Sequence, residues 1–434
     1  MGSLGKNAPC HTFSRTSIGH CTHRIGPAER HIDSMLWILS EVYYPEETGT
    51  GYYITRIAEH LASKQPVSVL CAQPAYSRAG VKAPRSETCN RVEIFRCSSL
   101  VLHQRSILMR LMRMVSITFS MFLAALFRIR RGDSILAVTN PPSVPILAVI
   151  LSFILRVRFS LVVHDVYPDI IAACGLTSRK AVSYRLLHKI SRLVLRRAEL
   201  IFCIGRDMCE HLAQTRGTGT SDGIQVIPLW ADCQEIQPAP RESNRLLIEL
   251  SLTNKLVILY AGNMGHPHDI ETLAAAIKHL ESDEGIHFVF MGSGPKQRLL
   301  NEMLASGSTN ITVLPPRPRS EQNEFLNACD VAILSLVPGM LGLAVPSRTY
   351  NLMAAGKPII ALVSESSEVA KVVREEGIGW VVEPGSVKKT VLAIQAAKES
   401  NNLLLEMGVR ARRAAGTKYS QEIILRQFDV FFEP

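Results

Sequence analysis

Tyr260-Ala-Gly-Asn-Met-Gly265 follows an apolar run, Lys255-Leu-Val-Ile-Leu259, and leads into a helix-like segment that begins near Asp269. A buried strand that ends in two close glycines and gives way to a helix presents backbone N–H groups to a phosphate. A strand-to-helix turn without a ligand carries the same signature, so the stretch takes its meaning from its neighbours. Downstream the alternation is regular. A strand at His287-Phe-Val-Phe290 precedes Gly292-Ser-Gly-Pro295 and a helix, and Ile311-Thr-Val-Leu314 precedes Pro315-Pro-Arg-Pro-Arg319 and a helix from Ser320. Then come Asp330-Val-Ala-Ile-Leu334 and Pro346-Ser-Arg-Thr-Tyr-Asn-Leu-Met-Ala-Ala-Gly356, which leads to Lys357-Pro-Ile-Ile-Ala-Leu362. Strand and helix in turn predict a doubly wound parallel sheet with its site at the carboxyl ends of the strands.

The first half repeats the theme. Leu36-Trp-Ile-Leu39 runs into Ser40-Glu-Val-Tyr-Tyr-Pro45, a loop with Gly49, Thr50 and Gly51, a helix through Leu61, and a second strand, Val67-Ser-Val-Leu70. The loop glycines sit where a parallel sheet places substrate, although a plain turn needs them equally. Ser134-Ile-Leu-Ala-Val138 ends in Thr139-Asn-Pro-Pro142, and Phe159-Ser-Leu-Val-Val163 ends in His164-Asp-Val-Tyr-Pro-Asp169. Polar groups at such strand ends hold a sugar or assist proton transfer, which makes His164 and Asp165 candidates; the simpler alternative is that they bond their own loop. Strands at 200–203 and 224–227 close this half, and the proline-bearing, aperiodic stretch from Pro228 to Glu242 reads as a linker.

At 434 residues, with 47% hydrophobic and 20% charged, the chain is long enough for two cores. Its ten scattered cysteines, none at Cys-x-x-Cys spacing, argue against a disulfide framework or zinc ribbon and for a reducing compartment, the cytoplasm. Residues 1–33 carry no apolar period, no signal-peptide core and no closed metal-ligand spacing, and read as a disordered extension or an overcalled start ahead of the strand from Met35. The net charge of +10 points to anionic partners: nucleic acid, phosphorylated substrates or an acidic membrane. Between Ile94 and Gly132 there is no acid, and Arg96, Arg105, Arg110, Arg113, Arg128, Arg130 and Arg131 bracket an apolar stretch from Val115 to Phe127. A second basic stretch runs from Arg179 and Lys180 through Arg185, Lys189, Arg192, Arg196 and Arg197. Both suit helices lying on anionic lipid, and both are also compatible with ordinary solvated charge. Arg110 and Arg113 interrupt the first run and leave it short of the roughly 20 residues that a span requires.

The succession Gly-Asn-Met-Gly, Gly-Ser-Gly-Pro, Leu-Pro-Pro, Ala-Cys-Asp-Val-Ala-Ile-Leu and Val-Pro-Ser-Arg-Thr-Tyr-Asn-Leu-Met-Ala-Ala-Gly-Lys-Pro resembles the family 4 glycosyltransferases of the GT-B fold. The Glu-Val-Tyr-Tyr-Pro, Thr-Asn-Pro-Pro and His-Asp-Val-Tyr-Pro-Asp loops resemble the bacterial members that build exopolysaccharide and O-antigen, of the colanic-acid and L-fucosamine transferase type. The resemblance implies an α/β protein of two doubly wound Rossmann-like domains facing a cleft: an acceptor domain over 34–230, a linker over 231–250, a nucleotide-sugar domain over 251–419, and a last helix over 420–434 that crosses back. It also implies a retaining transfer from a UDP- or GDP-linked sugar to a lipid-linked saccharide, with no cofactor, no metal and no nucleic acid. The enzyme would be peripheral on the inner face of the plasma membrane. The absence of an Asp-x-Asp motif agrees with metal independence.

By the same resemblance Gly262, Asn263 and Gly265 approach the diphosphate, Gly292 and Gly294 pass the ribose, and Arg317 with Pro316 contacts the base. Pro346, Ser347, Arg348 and Thr349 open a helix aimed at the leaving diphosphate, with Ser347 as its cap and Arg348 as the cation. Gly49, Thr50 and Gly51 meet the acceptor side. The family's two glutamates, eight apart, are here Leu343 and Asn351, of which only Asn351 can bond a ribose hydroxyl. A sugar-nucleotide epimerase of the same architecture and an inactive scaffold are the alternatives; the long apolar and basic first-half helices count against the epimerase.

Overall fold

The computed structural model describes residues 34–75, 82–98 and 107–432. The expected extension over 1–33 and Arg105 lie outside the described residues. In chain order the strands are β1 (Leu36–Leu39), β2 (Val67–Ala72), β3 (Ser86–Cys89), β4 (Val92–Cys97), β5 (Ser134–Val138), β6 (Arg158–Val163), β7 (Ile201–Cys203) and β8 (Ile224–Val226). They continue as β9 (Leu256–Ala261), β10 (Ile286–Met291), β11 (Ile311–Leu314), β12 (Val331–Ser335), β13 (Ile359–Leu362) and β14 (Gly379–Val382).

Two sheets result. The first has the order β3-β4-β2-β1-β5-β6-β7-β8, parallel except for the edge strand β3, and the second has β11-β10-β9-β12-β13-β14, parallel throughout. The second is the doubly wound order in which the strand succession reverses between β9 and β12, and the first reverses between β1 and β5. Helices cover both faces, so the central strands are buried on both sides: β2, β10 and β12 are buried along their whole length. This explains why they read as continuous apolar runs rather than as alternating ones.

The strands of the two sheets fall on either side of residues 231–250, but that stretch is not all connector. A 3-10 turn (Arg241–Ser243) and a short helix (Arg245–Glu249) lie against the second sheet's layer, tied by Arg241 to Asp330 at 2.8 Å and by Asn244 Nδ2 to the Glu324 carbonyl at 2.9 Å. The last helix, Gln421–Phe432, crosses back onto the first sheet. Its Phe428, Phe431 and Phe432 surround Phe202 of β7, and Asp429 bonds His60 and Lys64, both at 2.7 Å.

The basic apolar stretch forms one helix, Ile107–Arg128. Its window Leu111–Arg128, with Arg113 and Arg128 inside it, is long and apolar enough to cross a membrane by length and composition alone. The helix is packed along a stripe of one residue per turn: Arg113, Ile117, Met121 and Ala125 are buried. Arg113 is therefore not a solvated charge. Its guanidinium bonds Glu41 at 3.0 Å, and both side chains are buried.

Candidate active site

The glycine loop and Arg348 meet at the strand-order reversal of the second sheet. Gly262 follows β9 with φ +137°, and a Cβ added there would fall 2.6 Å from Arg348 Nη1. Nη1 donates to the Ala261 carbonyl at 2.6 Å, Nη2 donates to Tyr260 Oη at 3.2 Å, and the guanidinium lies 4.6 Å from the centroid of the Tyr260 ring. Tyr260 Oη in turn donates to the Asn263 carbonyl at 2.8 Å, which ties the loop to the same phenol. His268, which the sequence reading did not single out, completes the arrangement with Nε2 3.4 Å from Nη2. Among the described residues the partners of Arg348 are thus all neutral, and no carboxylate pairs with its charge.

The remaining loop residues are placed less uniformly. A Cβ at Gly292 would fall 2.0 Å from the Gly262 carbonyl oxygen, and one at Gly294 would fall 2.5 Å from that of Met264. Both glycines are therefore required by packing of one loop on the other, a reason other than passage of a ribose. A Cβ at Gly265 would meet the side chains of Asn263, at 2.8 Å, and Pro267, at 3.5 Å, and Asn263 is exposed. Arg317 is half-buried and bonds Glu321 at 3.3 Å.

The helix after Pro346 is seven residues long, Arg348–Ala354, and Ser347 does not cap it: Ser347 is itself helical, with φ −60° and ψ −28°, and its side chain makes no capping bond. Thr349 is buried and donates to the Pro346 carbonyl at 2.7 Å, so its hydroxyl is used inside the turn. Asn351 is buried as well, and its amide oxygen accepts from Asp232 N at 3.1 Å, where the chain passes between the sheets. Leu343 is packed in the core, and its carbonyl accepts from Val166 N at 2.9 Å.

That last bond is one of several that bring the His-Asp loop of the first half against the second. Asp165 pairs with Ala344 as an isolated bridge, Asp207 accepts from Gly342 N at 3.0 Å, and Arg206 bonds Glu368 at 2.9 Å and Glu375 at 2.7 Å. The resulting cavity of about 380 Å³ is lined from both halves: Gly49, Thr50, Asn140, His164, Asp165 and Ser347 are among its walls. Gly49 faces Ser347 across it, with the Ser347 Oγ 3.7 Å from a Cβ placed on the glycine. Gly51 is not a lining residue. It sits in the first helical turn, donates its N–H to Thr48 Oγ1 at 3.2 Å, and has no room for a side chain beside the Glu46 carbonyl.

His164 is anchored through its backbone N–H to Thr139 Oγ1 at 3.2 Å, while its ring Nε2 is buried with no partner. Burial pushes this imidazole down to about 4, so it stays neutral, and burial pushes the Asp165 carboxyl up to about 6. A neutral imidazole and a carboxyl titrating near neutrality, side by side in a cleft, can accept or deliver a proton.

Comparisons with known proteins give the family. The model for glycosyl transferases group 1 matches residues 248–414, and that for a glycosyl transferase 4-like domain matches residues 48–230. The Pseudomonas aeruginosa protein WbjE, named as a probable glycosyltransferase, is 32% identical over 71% of this chain and 76% of its own length. The chain belongs to the family 4 glycosyltransferases. Within that family it is of the exopolysaccharide and O-antigen type. WcaI of Escherichia coli K12, whose name assigns it to colanic acid biosynthesis, is 26% identical over 89% of this chain and 96% of its own length. Among solved structures, HepE of Anabaena in complex with UDP-glucose superposes with a TM-score of 0.68 at 16% identity, covering 92% of this chain and 98% of that one. The GT-B fold of this glycosyltransferase follows, with two α/β units facing a cleft.

Proposed function

We propose that this glycosyltransferase moves a hexosyl group, with retention of configuration and without a metal, from a nucleoside diphosphate sugar to a lipid-linked glycan at the cytoplasmic membrane face. The observation that carries the reading is the Arg348 guanidinium, held by neutral acceptors against Gly262 beside the cleft. As the bond from the anomeric carbon to the phosphate oxygen breaks, negative charge grows on the leaving diphosphate. A fixed cation without a carboxylate partner stabilises that charge without reorganisation. The planar guanidinium can meet two phosphate oxygens at once. A UDP-glucose complex of HepE, a structural neighbour, supports a nucleotide-linked donor. Asn263 and Gly265 flank the diphosphate position, Arg317 the base, and Gly49 and Thr50 the acceptor side.

His164 and Asp165 then stand on the acceptor side of the cavity. Asp165, with its raised carboxyl, is the better placed to take the proton of the attacking hydroxyl, and neutral His164 to bond a sugar oxygen. The lipid reading rests on the exposed apolar residues of three neighbouring helices, Ile107–Arg128, Ser143–Leu155 and Val182–Arg197, among exposed arginines.

The test is release of the nucleoside diphosphate from a panel of UDP- and GDP-sugars, with and without polyprenyl-linked saccharide acceptors. Acceptor-dependent release with the sugar recovered on the lipid is the expected result. Sugar isomerised without net transfer would establish the epimerase instead, and no turnover with any pair would leave a scaffold.

A further inference from the structure

His268 sits where β9 and β12 diverge, and its bonding fixes its chemistry. Nδ1 lies 2.9 Å from the Ser335 carbonyl, an acceptor only, so Nδ1 carries the hydrogen and Nε2 presents a lone pair. Arg348 Nη2, the nitrogen that also donates to Tyr260 Oη, lies 3.4 Å from Nε2 and 3.5 Å from Nδ1, so it rests against the face of the neutral ring. Burial first and the adjacent Arg348 charge second hold the imidazole down to about 3, so it does not become a competing cation. Lys296 Nζ donates to the His268 carbonyl at 2.7 Å and pairs with Glu271 at 2.8 Å, so the nearby lysine is engaged elsewhere.

A carboxylate is the commoner partner for a buried or half-buried arginine, and it would bind Arg348 more strongly than an imidazole does. It would also cancel the charge. We infer that His268 is a positioning residue that orients Arg348 by a neutral polar ring and so leaves the guanidinium uncompensated for a diphosphate. The inference rests on the reading of Arg348 as the diphosphate partner and adds how that residue is kept both ordered and charged. His268 does not touch the reacting atoms; it acts through Arg348.

Three substitutions separate orientation, charge and bulk: His268→Gln keeps a neutral acceptor, His268→Leu removes it at similar size, and His268→Glu replaces it with a carboxylate nearly identical in shape to the amide. Full-length protein is titrated calorimetrically at pH 8 with UDP, GDP and ADP, and the tightest of these is carried through the series. His268→Gln retains most of the affinity, His268→Leu loses about 10-fold, the worth of one bond to a charged group, and His268→Glu loses at least as much. The difference between Gln and Glu then disappears in an Arg348→Ala background, because the carboxylate has no guanidinium left to neutralise. A merely structural role for His268 predicts no such dependence on Arg348.

Equal affinity for the Gln and Glu variants overturns the inference while leaving the diphosphate site intact. If His268→Glu does not fold, the Gln and Leu pair decides, and equal affinity of those two overturns it as well. Wild-type protein that binds none of the three nucleotides removes the diphosphate reading itself, and the role of His268 with it.

Discussion

Gly262 and Arg348 are in contact through a space that only a glycine leaves: a Cβ at Gly262 would lie 2.6 Å from Nη1 and 3.0 Å from the guanidinium carbon. The backbone there, at φ +137°, is also one that side-chain-bearing residues rarely adopt. Gly262→Ala must therefore either strain the loop or displace the guanidinium. Strain of this kind costs about 1–3 kcal/mol, and a displaced catalytic cation costs about 10²-fold in turnover. The expected outcome is a modest fall in melting temperature with a large fall in kcat. Unchanged kcat with the same fall in stability would mean that the loop glycine serves folding alone.

Arg348→Ala tests the cation directly. If its contact tightens as the glycosidic bond breaks, kcat falls by about 10²-fold or more while donor affinity changes less. Arg348→Lys recovers only part, because an ammonium lacks the planar fork and cannot satisfy Ala261 O and Tyr260 Oη together. Steady-state kinetics at saturating acceptor separate the two effects. A raised Michaelis constant at normal turnover would make Arg348 a ground-state binder.

The alternating strands were legible because parallel strands buried on both faces are simply apolar runs. The antiparallel edge pair β3 and β4 was not: β3 is four residues of alternating exposure, Ser-Glu-Thr-Cys, with no apolar signal. The helix Arg245–Glu249 was hidden in the same way by its length and by the prolines before it. Within the site, Gly262 and Arg348 were both put at the diphosphate by the family resemblance. His268 could not be placed there, since its tautomer is set by a carbonyl 67 residues further on, and a lone histidine after a glycine turn has no distinguishing pattern. Asn351 and Thr349 are a different case. Their side chains match the family's positions, but the contacts of Asn351 to Asp232 and of Thr349 to Pro346 exist only once the chain has folded. Arg113 looked like a solvated charge because its partner, Glu41, lies 72 residues earlier.

Acid lowers stability through three imidazoles. Burial holds His164 and His287 down to about 4 and His268 down to about 3, against about 6.5 when unfolded. Between pH 6 and 4.5 the unfolded chain gains these protons and the folded chain does not, so stability falls as pH falls. Asp165 opposes this, since its folded value of about 6 lies above the unfolded value of about 3.9 and the folded state takes up its proton first. Three protons against one leave a net loss of about 2–3 kcal/mol per pH unit from these groups. Urea unfolding at pH 7 and at pH 5 checks the sign. His287→Phe, which removes one of the three, should flatten the slope, and stability that rises on acidification would contradict the assignment.

Membrane attachment through the first half is the remaining prediction, and it follows from what the helix Ile107–Arg128 leaves uncovered. Its packed stripe is one residue per turn, so Val115, Phe119 and Phe127 face outward, with Phe127 86% exposed. The helix Ser143–Leu155 lies between it and Val182–Arg197, and these contribute exposed Ile150, Phe153, Ile154, Val182, Leu186 and Leu193. Arg128, Arg130, Arg185, Lys189, Arg192 and Arg196 are exposed on or beside the same helices. An apolar face alone would promote self-association, whereas an apolar face among cations matches the boundary of an anionic bilayer. Each cation near such a surface contributes about 1 kcal/mol and is screened by salt, so binding should be strong at low ionic strength and partly reversed at 1 M salt. Co-sedimentation with phosphatidylglycerol vesicles should retain the protein, and neutral phosphatidylcholine vesicles should retain much less. Phe119→Glu with Phe127→Glu should release it from the anionic vesicles without altering the melting temperature, because neither side chain is buried. Equal binding to neutral vesicles would show that the arginines do not take part, and no binding to either would leave the exposed face to another protein.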